Sequence, residues 1–297
     1  MILKENKKLE QKEFKNEKEL QKYFEDNLTK ILGYKFIDTE FIVGDFRIDT
    51  LAFDNESNSF RIIEYKNVKN HSLVDQGYTY LKIMLERKAD FVLQYNIKTN
   101  SALTIQDIDW SQSRIIFVSP TYTTYQLNAT DFKNIPVDLI KVTKYENDIV
   151  EVDRIEKKSN VSVKEIMDEV IKNNVNKEII VYTEEDHLKN SSEYTKELYE
   201  ELKQRILELD DIDIEVKKYY IAFKGMTNII DVETQKGRIK ASINMKKGTL
   251  NDPMKLTRDI SNIGHWGNGD YEVCIDKKDD IDNIIPLIKQ SLKKNKK

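Results

Sequence analysis

The chain has 297 residues, which at about 150 per domain points to two domains. Hydrophobic residues make up 39% and charged residues 34%, with 9 Gly, 4 Pro, 15 Tyr, 11 Phe and 2 Trp, so collagen-like, low-complexity and globally disordered classes are excluded. A net charge of −4, from 48 basic and 52 acidic residues, is unlike a protein that holds nucleic acid by bulk positive charge and leaves only a local basic groove for that purpose.

The first residues, Met1 to Lys8, contain no apolar h-region, and no apolar run approaches the roughly 18 residues of a membrane span. The single cysteine, Cys274, cannot form an intramolecular disulfide or a Cys-based zinc site, and the expected compartment is the reducing cytoplasm. Leu20, Tyr23, Phe24, Leu28 and Ile31 recur at spacings of three and four, predicting an amphipathic helix over 16–32 that Gly33 ends as a C′ residue. A short strand is expected over 36–41. Two more, 45–53 and 60–66, are joined by a polar hairpin loop, 54–59. Ser72 and Asp75 resemble a capping box opening a helix to about Lys88, followed by strands over 90–94 and 114–119 and an αβ segment to about 156. This order describes an α/β domain with a mixed central sheet, 1–156.

A polar break begins at Lys157, and with a helix over 162–173 and a charged stretch it forms a linker, 157–190. The remainder, 191–297, reads as a smaller α+β domain. It has a helix over 192–209, strands near 214–223, 229–232 and 238–245, a short helix, a strand near 271–275 and a helix over 281–292.

The hairpin carries the strongest site. Symmetric closure by the loop 54–59 sets Asp49 opposite Glu64, Leu51 opposite Ile62, Phe53 opposite Phe60 and Arg47 opposite Lys66. Side chains alternate along a strand, so these eight share one face, apolar near the loop and charged at the far end. Two carboxylates directly opposite repel, and a divalent cation would compensate them. Mg²⁺ takes hard oxygen ligands, commonly one or two carboxylates plus phosphate and water. Glu64-Tyr65-Lys66 alone is weak, since about eight acidic-x-basic triplets are expected by chance in this composition. A charged hairpin end with Arg47–Glu64 and Asp49–Lys66 pairs is the bland alternative. Ile62 and Ile63 count against it, because they make this a core strand, where charge is expensive unless it serves something.

Asp49, then Glu64-x-Lys66, then Gln76-x-x-x-Tyr80 resembles the PD-(D/E)XK nuclease superfamily, which includes restriction endonucleases and archaeal structure-specific endonucleases. The similarity is greatest to versions reading R-I-D-T-L-A-x-D and I-I-E-Y-K, here Arg47 to Asp54 and Ile62 to Lys66, and it spans roughly residues 15–150. Ile48 replaces the proline of the name. The resemblance implies a restriction-endonuclease-like fold and phosphodiester hydrolysis in nucleic acid, DNA before RNA. Asp49, Glu64 and the Tyr65 carbonyl would ligate Mg²⁺ or Mn²⁺, and Lys66 would orient or activate water. Gln76 and Tyr80, at i and i+4 on one helix, would reach the substrate backbone or Lys66, with Arg47 alongside. The first helix would supply a further acid, Glu17, with Glu19 as the alternate. A homodimer would follow if both strands are cut by two-fold symmetry.

Lys66, Lys69, His71 and Lys82 could form a basic rim, with Tyr78 or Tyr80 stacking a base, although each also fits a solvated or core position. His71 and His187 have no metal-ligand partners at useful spacing. In the second domain, the segment from Gly264 to Tyr271 holds three of the nine glycines and resembles the end of a small domain of unknown function found beside such nuclease domains and also alone. It lacks the P-loop and dinucleotide signatures. Its readings are a tight structural turn, or a binding site around His265 and Trp266 for a ligand, nucleic acid or partner. Two rivals to the enzyme remain: a non-catalytic nucleic-acid-binding or assembly module, and a ligand-binding regulator working through the second domain.

Overall fold

The computed structural model describes residues 3–4, 7–66, 73–132, 135–157 and 175–295. The chain divides into two compact units, Met1–Val181 and Tyr182–Lys297. The stretch read as a linker is shared between them. Val175 and Ile179 are buried in the core of the first unit, whereas Glu184–Leu188 is a helix of the second. The helix expected over 162–173 and the Ser72 cap lie outside the described residues.

The first unit runs β1 (Gln11–Lys12), α1 (Glu17–Leu32), β2 (Lys35–Val43), β3 (Phe46–Asp54), β4 (Ser59–Tyr65), α2 (Leu73–Glu86), α3 (Lys88–Thr99), β5 (Arg114–Ser119), α4 (Thr124–Thr130), β6 (Val137–Tyr145) and β7 (Val150–Arg154). Its seven-stranded sheet has the order β1-β6-β5-β4-β3-β2, with β7 also pairing β6. β4, β5 and β6 are parallel and the other pairings antiparallel, so the sheet is mixed. Crossovers between parallel strands need helices, and here α2 with α3, then α4, supply them.

Every residue of β4 is buried, as befits a central strand covered on both faces. On one face, Leu51, Phe53, Phe60, Ile62, Ile115 and Phe117 pack with Tyr78, Leu81 and Met84 of α2 and Phe91 and Tyr95 of α3. On the other, Ala52, Ile63, Tyr65, Ile116 and Val118 pack with Leu20, Phe24 and Leu28 of α1. Each Leu, Ile, Val, Phe or Met among them contributes about 1.5–3 kcal/mol when fully buried. α1 is capped by Asn16, which accepts from the Glu19 amide, and ends at Gly33 with φ 76°.

Residues 90–94, expected as a strand, lie within helix α3. Phe91 and Tyr95, four apart, enter the core, while Leu93 and Ile97 are exposed. The apolar run Phe91 to Leu93 is too short for its period to decide between strand and helix.

The second unit runs α5 (Glu184–Leu188), α6 (Glu193–Leu207), β8 (Asp213–Val216), β9 (Ile221–Lys224), β10 (Asn228–Thr234), β11 (Ile239–Ile243), β12 (Arg258–Asp259), β13 (Tyr271–Ile275) and α7 (Lys278–Asn295). Its strands form a six-stranded antiparallel sheet, β8-β9-β10-β11-β13-β12. Ile230, Val232, Ile239, Ala241, Val273 and Ile275 pack with α6 and α7 on one face. No helix occupies the stretch between β11 and β13, where a short one was expected; apart from β12 it is made of turns and irregular chain. Among the described residues no helix is long and apolar enough to cross a membrane.

Candidate active site

The hairpin has the register the loop symmetry predicts. β3 and β4 pair from Asp54–Ser59 through Phe53–Phe60, Ala52–Arg61 and Leu51–Ile62 to Thr50–Ile63. Asp54 and Ser59 belong to the strands, so the turn is shorter than the loop expected.

Beyond Thr50–Ile63 the ladder gives way to side-chain bonds. The Asp49 carboxylate accepts from the Tyr65 amide at 3.1 Å, and the Glu64 carboxylate accepts from the Asp49 amide at 3.2 Å. Each acid thus grips the opposite strand, and the two are held together at the carboxyl end of β4, where antiparallel pairing changes to parallel. In α/β sheets ligand sites lie outside the carboxyl ends of strands. The strand is distorted here. Ile48 packs in the same core as Leu51 and Phe53, where strict alternation would place it with Thr50 and Ala52. The break falls at Asp49, between the pairs Thr39–Thr50 and Phe41–Ile48 of β2 and β3, and Glu40 on β2 has φ 51°, the left-handed region that non-glycine residues rarely adopt.

Glu64 is buried, and its other oxygen accepts from Gln76 at 3.0 Å and from Lys66 at 3.5 Å. Lys66 is only 14% exposed. Burial, and then the charge of Asp49, push the Glu64 carboxyl up to about 7, against the pull of Lys66. Burial raises Asp49 as well, opposed by the Tyr65 amide and Lys66, while Glu40 and Glu17 add to the increase. The folded, metal-free protein therefore holds the Glu64 proton more tightly than the unfolded chain. This stability is fully present below about 4.5 and is lost as pH rises through about 7. Urea unfolding in EDTA should show stability falling by about 1–3 kcal/mol between pH 5 and pH 8. Glu64→Gln should remove most of that slope; an unchanged slope would place its origin elsewhere.

The predicted residues fall into three groups. Asp49, Glu64, Lys66 and Gln76 are brought together. Gln76 holds Glu64, where it was expected to reach substrate or Lys66. Tyr80 borders them, half-buried, its hydroxyl donating to the Arg47 carbonyl at 3.1 Å and its ring edge-on to Phe46. Burial and the nearby Glu64 push its phenol up. Glu17, the first residue of α1, is exposed and close enough to act on Asp49 through its charge.

Other expectations are corrected. Arg47 does not lie opposite Lys66; it pairs with Ile42 on β2 and its guanidinium contacts Glu40 at 2.8 Å, because the β3–β4 ladder has already ended. Glu19 is bound to Lys144 at 2.7 Å and to the Lys15 amide, so it is not the further acid. Tyr78 is buried in the core with its hydroxyl on Asn176, which leaves no face for a base. Lys82 pairs with Glu86, and Lys69 and His71 lie outside the described residues. The Tyr65 ring is buried against Phe24, so Tyr65 can offer the site only its main chain.

Sequence reasoning missed Gln21, Glu25 and Glu40. Buried Gln21 donates to the Asp49 carbonyl at 2.8 Å, to Thr39 and to Glu25, and Glu25 accepts from Thr50 at 2.6 Å. Glu40 joins Lys18 to Arg47. Glu17, Gln21 and Glu25, spaced by four, form a polar stripe beside Leu20, Phe24 and Leu28, a signal the sequence did contain.

In the second unit, the turn from Gly264 to Tyr271 has structural reasons for its residues. Buried Asp231 accepts from the Asn268 amide and side chain and from Asn228. A Cβ on Gly269, φ 93°, would meet the Ile243 carbonyl at 2.1 Å, and one on Gly267 would meet Ser242 at 2.7 Å. Each ring nitrogen of His265 faces a carbonyl, Ile263 at 2.8 Å and Gly269 at 2.9 Å, so His265 holds the turn. His187 contacts the Lys217 carbonyl.

What emerges is a two-unit protein, a mixed-sheet unit with a paired-carboxylate site and an antiparallel-sheet unit. Residues 184–295 match the family described as a domain of unknown function, DUF5655. The chain belongs to the same family as an uncharacterized protein of Haemophilus influenzae (strain ATCC 51907 / DSM 11121 / KW20 / Rd), with 48% identity over 288 residues, 96% of this chain and 95% of the relative. Among solved structures, a chain of the EndoMS–dsDNA2 complex overlaps 39% of this chain and 40% of its own length at 19% identity and a TM-score of 0.29, a likeness too partial to bear on fold or chemistry.

Proposed function

We propose that the first unit is a metal-dependent nuclease of the restriction-endonuclease-like kind, hydrolysing phosphodiester bonds in DNA. The observation that carries this reading is the reciprocal grip of Asp49 and Glu64, two acids held side by side with Lys66 at the open end of a buried strand. Such an arrangement is costly and is retained most readily where it does chemistry.

The donor set suits Mg²⁺ or Mn²⁺: hard oxygens from Asp49 and Glu64, whose burial and mutual repulsion a divalent cation would offset. Among the described residues no three His, Cys, Asp or Glu side chains are disposed to hold a metal, so the third protein ligand would be the Tyr65 carbonyl. A metal so held would polarise the phosphate and lower the pKa of a bound water. Lys66 would orient that water and counter the charge developing on phosphate. Gln76 fixes the rotamer of Glu64, and Gln21 fixes the backbone of Asp49. Exposed Arg47 and the Tyr80 hydroxyl would meet the substrate backbone, with Glu17 at the rim.

The test is cleavage of single- and double-stranded DNA and of RNA with Mg²⁺ or Mn²⁺ against EDTA, together with melting curves in Mn²⁺ and in Ca²⁺. Cleavage and a rise in Tm of a few degrees are expected with metal. Neither ion stabilising the protein, with every substrate left intact, would leave a scaffold that binds without chemistry.

A further inference from the structure

The antiparallel sheet of the second unit has helices on one face only; its other face is polar. Register places Asp231, Ser242, Glu272 and Arg258 in one row across it and Glu233 beside Lys240 in the next. The turn that carries Trp266 stands over this face, through Asn268 on Asp231, and a cavity of about 590 Å³ opens between them. Its walls include Glu233, Lys240, Arg258, Glu272, Ile263 and Trp266.

Three features define what this cavity would take. Trp266 is 59% exposed, and one face of its indole is stacked on Tyr219 at 3.8 Å and 16°, which fixes the ring and leaves the other face to a planar guest. Glu272 is satisfied by Lys240 at 2.8 Å and Arg258 at 2.7 Å. Glu233 is different: among the described residues its carboxylate has neither a hydrogen-bond donor nor a salt-bridge partner, although it is half-buried. Burial raises its proton affinity, as expected of an acid awaiting donors.

We propose that this cavity binds a guanine base, presented by a free nucleotide or by an unstacked position in a nucleic acid. Two acids and two basic side chains leave the walls near charge balance, which suits an uncharged ring rich in donors and acceptors over a cationic side chain that Lys240 and Arg258 would repel. Guanine offers two adjacent donors, N1–H and N2–H, to one carboxylate, with O6 beside them as an acceptor for the Lys240 ammonium. Adenine and cytosine have no such donor pair, and uracil flanks its single N3–H with two carbonyls that would face Glu233. The base would stack on the free face of Trp266, as unstacked bases do on aromatic side chains. Arg258, at the exposed rim, is placed for a phosphate. This reading stands apart from the nuclease site and needs no metal.

Calorimetry on the full chain in EDTA tests it, since cleavage in the first unit then cannot interfere. The probes are GMP, AMP, CMP, UMP, a thymidylate heptamer with one central deoxyguanosine, and the all-thymidylate heptamer. GMP binding alone identifies a free nucleotide, and preference for the guanine-bearing heptamer identifies a base in nucleic acid. Either should weaken about tenfold or more in Glu233→Gln and in Trp266→Ala. No heat from either guanine probe, equal affinity for all four nucleotides, or affinity unchanged in Glu233→Gln would overturn the proposal. So would binding of N-acetyl-arginine amide that Glu233→Gln abolishes, which would make the cavity a cation site.

Discussion

Glu64→Gln and Asp49→Asn should each lower the cleavage rate by about 10²- to 10⁴-fold, the loss expected when several kcal/mol of metal-centred transition-state stabilisation are removed. The substitutions keep the shape and one acceptor oxygen for the amide on the opposite strand while deleting the charge, and the Gln76 amide can turn over to accept where it now donates. Stability should move the other way. With the burial cost of an ionised Glu64 gone, the metal-free Glu64→Gln protein should gain on the parent as pH rises from about 4.5 and exceed it most at pH 8. Mn²⁺ should no longer raise its Tm. Activity lost and stability gained by one isosteric change is a pairing that simple misfolding cannot produce. A variant that cuts as fast as the parent would remove Glu64 from the chemistry.

Arg61→Ala should cost about 3–5 kcal/mol, the range for breaking one half of a buried ion pair. Arg61 and Asp54 have side chains each 3% exposed and meet at 2.6 Å, beside the turn that closes the β3–β4 hairpin. The guanidinium also donates to Ser59 and to the Gln112 carbonyl and lies over the Tyr34 ring. Without it, the Asp54 carboxylate loses its charged partner, and the Ser57 hydroxyl and the Glu56 amide that also donate to it are neutral. Urea unfolding of Arg61→Ala, Asp54→Ala and the double variant would show it: the double should be much less destabilised than the sum of the singles. Additive losses would mean that packing, not charge, dominates. Because this knot ties β3 to β4 near their turn, its loss should also blunt cleavage, through the fit of Asp49 to Glu64.

The hairpin register was legible in the sequence because its causes are local. Alternation has a period of two, the turn is short, and a slip by one residue would turn Leu51, Phe53, Phe60 and Ile62 away from α2 and α3 toward the face packed on α1. Helix α1, its Gly33 end and the facing of Gln76 and Tyr80 followed from similar short-range periodicity. The break in alternation at Asp49 was not legible. It depends on Glu40, on a neighbouring strand, and the strict pattern put Arg47 on the wrong partner for that reason. Residues 88–99 failed similarly: a run such as Phe91-Val92-Leu93 has too few turns to declare its period, and only packing under β2 and β3 made it a helix.

The amino-acid order by itself therefore determined two domains, the central hairpin and which two acids oppose each other, since these follow from spacing within a few tens of residues. Tertiary structure alone decided that the acids bond each other's strands, that Gln21 steadies Asp49, that Glu19 is taken by Lys144, and that Glu233 and Trp266 share a cavity. Those relations join elements far apart in the chain. They are settled by which faces pack, and no periodicity within one element records that choice.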